Sequence, residues 1–170
     1  MAGRCPTAEG NGSEPMAPIS TTSRAFGTRA QMSSLNAAIG LAQLPYFPRA
    51  ERTRKALWLA YAAALRDIDG VTLVDVDIEH AVPHLCAVRV RTGRNAVFRT
   101  LRQRGIGVGT HYPPNHTQPA FHPWYRPLPS TERTGREILT LPFHQHLTER
   151  DIERVTAELR RAITTAGADR

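Results

Sequence analysis

Lysine is nearly missing from this 170-residue sequence: among 22 basic side chains Lys55 alone is a lysine, and the rest are arginine. Chemistry that needs an amine nucleophile has a single candidate, and its Arg-rich neighbourhood reads as a solvated helix surface. Cysteine is just as scarce. Cys5 and Cys86 are too few and too far apart for a disulfide framework or a zinc site, and Cys86, inside an apolar run, reads as a small core residue. No apolar stretch approaches the roughly 20 residues that span a bilayer. The N-terminus lacks the continuous apolar segment of a signal peptide, so the cytoplasm is the expected compartment. Gly105 to Gly109 does not fit G-x-G-x-x-G after a strand, and no Lys-Ser/Thr completes a P-loop. The seven histidines show no helix-face pair of the metal-binding kind, so no metal site is expected. The formal net charge is +7, but the arginines are dispersed rather than clustered. Non-specific nucleic-acid binding, which would weaken steeply with salt, is therefore the least favoured reading.

What is present describes a globular chain, with 41% hydrophobic and 22% charged residues. Residues 1–24, rich in Gly, Pro, Ser and Thr, read as a flexible lead-in, and residues 25–170 as one domain. A helix is expected over about 32–44. Ser33 or Ser34 would cap it, and its apolar residues lie on several faces, which predicts packing on more than one side. A second helix, about 49–67, carries the stripe Leu57, Tyr61, Ala64, Leu65 and Ile68. Strands are expected at 71–76 and 84–91, the latter alternating apolar and polar. Asn95 would cap a helix over 96–104, ended by Gly105. Residues 106–112 read as a third strand, 113–129 as a Pro- and His-rich irregular stretch, 131–138 as a short helix and 139–143 as an extended turn. Thr148-Glu149-Arg150-Asp151 opens a final helix in the manner of a capping box, with Ile152, Val155, Leu159 and Ile163 buried. The sum is an α+β fold, a small sheet of about three strands covered by helices.

Three segments carry a resemblance. Gly27 to Leu44 (GTRAQMSSLNAAIGLAQL), Arg104 to Phe121 (RGIGVGTHYPPNHTQPAF) and Glu137 to Phe143 (EILTLPF), in that order, resemble the C-terminal part of DegT/DnrJ/StrS aminotransferases. The resemblance covers about residues 25–166. It implies a fold-type-I enzyme that uses pyridoxal phosphate (PLP) to move an amino group from an amino acid to a keto sugar on a nucleotide. It also implies that His111, Tyr112 and His116 face the nucleotide-sugar substrate, and that the phosphate of a neighbouring subunit's PLP lies near Arg29 and Gln31. The sequence departs from the family at both of these last positions, where the family has Asn and Arg. Arg29 reads equally as a phosphate contact or as a solvated arginine. Tyr112 reads as a ligand contact or as packing, and Phe121, Trp124 and Tyr125 read as packing more than as a base platform.

The lysine of the Schiff base lies upstream of this half in the family, and Lys55 does not match it. The expectation is therefore no catalytic residue here and no PLP bound covalently by this chain alone. As partners, the resemblance suggests a large aminotransferase domain or a second copy of the chain. The alternative reading is a non-catalytic interaction module built on the 32–44 helix.

Overall fold

The computed structural model describes residues 31–168; Arg29 and the expected lead-in lie outside them. Leu57, Trp58, Tyr61 and Leu65 recur at helical spacing and are buried along α2 (Phe47–Leu65). Before α2 comes α1 (Ser34–Gln43), capped by Ser33, whose hydroxyl accepts from the Asn36 N–H at 3.2 Å. A 3-10 turn over Leu44–Tyr46 joins the two helices, and Pro48 sits in the first turn of α2, where its missing N–H costs nothing. The expectation that α1 is packed on several sides is not met: it has no buried residue, and Met32, Leu35, Leu41 and Leu44 are exposed.

The sheet has the order β1-β2-β3, antiparallel throughout. β1 (Val71–Leu73) is shorter than expected. In β2 (Cys86–Val90) the alternation sends Cys86, Val88 and Val90 into the core, while Ala87 and Arg89 are half-buried. Burial pushes the Cys86 thiol up to about 12, so it remains protonated. β3 is Ile138–Leu141, not the expected 106–112. Ile106 and Val108 are buried, but only Gly109 reaches the sheet, by a single bridge to Thr140. Glycines at 107 and 109 are poor strand formers, and Pro113 and Pro114 have no N–H to extend the pairing. All four residues of β3 are buried, so no alternation marks it in the sequence.

α3 (Arg94–Gln103) starts two residues before the expected helix. Gly93, left-handed at φ 72°, makes the reversal from β2, and Asn95 falls inside the helix. Gly105 ends the following turn, also left-handed, and the Ile106 N–H donates to the Leu101 carbonyl at 2.9 Å, as the sequence suggests. The final helix, α5 (Glu149–Ala168), packs against α2 and α3. Helices α2, α3 and α5 cover one face of the sheet, where Tyr61, Leu101, Leu139 and Leu159 are fully buried. Burying a side chain of this size is worth about 1.5–3 kcal/mol. The Tyr61 hydroxyl donates to the Pro142 carbonyl at 2.9 Å, and burial raises its pKa far above the ordinary phenol value. The opposite face is crossed by α4 (Pro129–Glu137), which packs against β2.

Candidate functional site

Gly109 fixes the start of the His-rich loop. It donates to the Thr140 carbonyl at 3.0 Å and accepts from the Thr140 N–H at 2.8 Å. The His111 ring then folds back over it: a Cβ at Gly109 would stand 2.5 Å from His111 Cε1, so the close approach requires glycine. In this position His111 Nδ1 lies 3.0 Å from the hydroxyl of the buried Thr140. That contact leaves the other edge of the imidazole for a ligand. The Tyr112 ring meets His111 edge to face at 5.0 Å between centroids, and its side chain is exposed.

Helix α4 forms the facing wall. Pro114 packs against Gly135, where a Cβ would come 2.6 Å from the Pro114 ring. His111, Tyr112 and Pro114 on one side, with Ser130, Thr131, Thr134 and Gly135 on the other, enclose a cleft of about 370 Å³. Its polar groups are an imidazole, a phenol and three aliphatic hydroxyls, set beside the apolar Pro114 and Ile138. Each hydroxyl both donates and accepts, which suits a polyhydroxylated ligand.

His116 does not join His111 and Tyr112; it lies in the adjoining cleft. Its Nε2 is 3.3 Å from Glu132 Oε1, and the ring stacks on Tyr125 with 5.8 Å between centroids. Glu132 Oε1 also accepts from the Leu128 N–H at 3.1 Å. These two bonds, the backbone one first, hold the Glu132 carboxyl below the usual range. The second cleft, about 650 Å³, is bordered by Asn115, His116, Phe121, Trp124, Tyr125, Arg126 and Leu128. Phe121, Trp124 and Tyr125, read from the sequence mainly as packing, are exposed here. Gln31 is exposed ahead of the Ser33 cap and lines neither cleft.

Several supporting residues escaped the sequence reading. Arg94 donates to the carbonyls of Ile138 (2.9 Å) and Gly135 (3.1 Å), pinning the end of α4 to the start of β3. Burial lowers its pKa from the ordinary arginine value. Thr140 and Glu132 act through pairings too distant in sequence to be read from spacing. The Pro-Ser-Thr-Glu run at 129–132 is a helix-start signal that points to Glu132 alone.

The residues present do not fit covalent attachment of PLP. Lys55 Nζ is 2.8 Å from Glu51 Oε1 and donates to the Glu79 carbonyl, and it borders neither cleft. Among the described residues no group of three or more His, Cys, Asp or Glu is placed to hold a metal ion, and no helix is long and apolar enough to cross a membrane.

Three solved structures share this fold. DesV of S. venezuelae, in complex with a ketimine intermediate, is 30% identical with a TM-score of 0.73 over 82% of this chain and 39% of its own. DesI, in the presence of its TDP-sugar product, is 31% identical with a TM-score of 0.72 over 84% of this chain and 39% of its own. The PLP form of the sugar aminotransferase Spr1654 from Streptococcus pneumoniae, 21% identical, shares the fold with a TM-score of 0.73 over 79% of this chain and 36% of its own. The chain thus spans about two fifths of the length of these proteins. The sequence profile of the DegT/DnrJ/EryC1/StrS aminotransferases matches residues 4–160, and the chain belongs to that family.

Proposed function

We propose that these residues form the substrate-facing C-terminal part of a PLP-dependent sugar aminotransferase, which works with a large domain that supplies the Schiff-base lysine. The observation that carries the reading is the cleft between His111-Tyr112 and α4, with its imidazole, phenol and hydroxyl lining, in a chain of this family. In this reading the cleft holds the hydroxyls of a keto sugar attached to a nucleotide, and His116 serves in the adjoining space. Arg29 and Gln31 keep the role that the resemblance gives them, facing the cofactor phosphate of a neighbouring subunit. The amino group comes from an amino acid, and PLP, when bound, supplies the electron sink for its transfer. The chain by itself is inactive, because its one lysine is held by Glu51 away from both clefts.

An absorbance titration with PLP tests this, with the chain alone and mixed with a separately expressed large domain of a related enzyme. An imine band and sugar-amine formation only in the mixture are expected. A band in the chain alone that Lys55→Ala abolishes overturns the reading.

A second reading rests on the exposed apolar residues of α1. The chain then serves as an interaction module that pairs with a second copy or with a large aminotransferase domain, without chemistry of its own. Failure of the mixture to form the band, together with stable association, favours it.

A further inference from the structure

Helix α4 has a second side. Ser130, Thr131, Thr134 and Gly135 face the His111 cleft, whereas Arg133 and Glu137 border a separate cleft of about 260 Å³ toward β1. We propose that this arginine-lined cleft is a binding site for a small molecule bearing a phosphate group.

The sheet register assembles it. Thr72 of β1 stands opposite Arg89 of β2. Arg91, two residues further on, returns to the same face by the two-residue period of the strand, and its N–H is tied to the Gly70 carbonyl at 2.8 Å. Arg133 and Glu137 are four apart on α4 and so lie on one face of the helix. Residues from three elements thus meet in one cleft, with three guanidinium groups against a single carboxylate.

That carboxylate is already engaged. Glu137 Oε2 accepts from Arg89 Nε at 2.8 Å and Nη2 at 2.6 Å. Arg91 and Arg133 have no carboxylate within ion-pair distance among the described residues. Two unneutralised guanidinium groups therefore share the cleft with the Thr72 hydroxyl. The surplus matches a phosphate dianion. The donor forks, approaching from sheet and helix, can engage several phosphoryl oxygens at once, and the twofold charge surplus suits a dianion better than a monocarboxylate. The site shares no lining residue with the two loop clefts and stands whether or not the aminotransferase reading does.

The probes are inorganic phosphate and pyrophosphate, added at constant ionic strength to the full 170-residue chain. NMR would follow the arginine Nε–H signals and the Thr72 amide. Saturable shifts at Thr72, Arg89, Arg91 and Arg133 are expected. Arg91→Ala with Arg133→Ala should weaken binding by about tenfold or more, while Arg102→Ala, an exposed arginine on α3 outside the cleft, should leave it unchanged. Backbone amide dispersion verifies that each variant is folded. Non-saturating shifts spread over the arginines of α2 and α5, equal loss in the Arg102 variant, or equal binding of glutarate would each overturn the proposal.

Discussion

Asp151 shows how one side chain ties stability to pH. Its Oδ2 accepts from the Thr148 N–H at 2.9 Å and from the Thr148 hydroxyl at 2.7 Å, and its own N–H donates back to Thr148 Oγ1. These bonds, the backbone one first, hold the Asp151 carboxyl below the usual range. A carboxyl lowered in the folded state stabilises the fold above its unfolded pKa of about 4, and that contribution is lost as pH falls through the folded value. Asp151→Asn should therefore lower Tm at neutral pH and flatten its decline between about pH 5 and pH 2, as thermal unfolding across that range would read. The Thr148 start was legible in the sequence because both partners lie within one helical turn. Glu132, lowered by Leu128 and His116, was not, since the histidine it meets lies 16 residues away.

Among the elements, α4 decides the shape of the site. Its end is pinned by Arg94, its start by Glu132 to Leu128, and its middle by the contact of Gly135 with Pro114. Gly135→Ala should force the His111–His116 loop outward and cost about 1–3 kcal/mol, the usual range for overpacking. Urea denaturation would measure the cost, and hydrogen exchange over residues 112–126 should rise. Helices with a clear stripe were legible: α2 and α5 bury Leu57, Tyr61, Leu65, Ile152, Val155 and Leu159 as their spacing indicates. The third strand is not where the pattern points because β3 is buried on both faces, Thr140 included, so it lacks the alternation that betrays β2. Motif resemblance singles out His111 and Tyr112, and the two line one cleft. Its separation from His116, and the walls that α4 contributes, depend on tertiary packing that spacing does not encode.

At the scale of the molecule, α1 is a helix that buries no residue against the rest of the fold among the described residues. Leu35 and Leu41 on α1 are each 71% exposed, and Leu44 just after it is 64% exposed; exposed apolar surface favours association. Leu35→Lys with Leu41→Lys should leave the fold intact, because neither side chain reaches the core, and should shift sedimentation velocity profiles toward the monomer. Unchanged association would place the contact elsewhere. The sheet order has a consequence for how the chain assembles. β1 and β2 are neighbours in sequence, but Arg89 and Glu137 meet across 48 residues, and closing so long a loop carries an entropic cost that β1–β2 pairing does not. Helix α4 runs straight into β3, so the walls of the His111 cleft and of the arginine cleft depend on that long-range pairing. A ligand in either of these two clefts therefore stabilises the closing of that long loop along with the site itself.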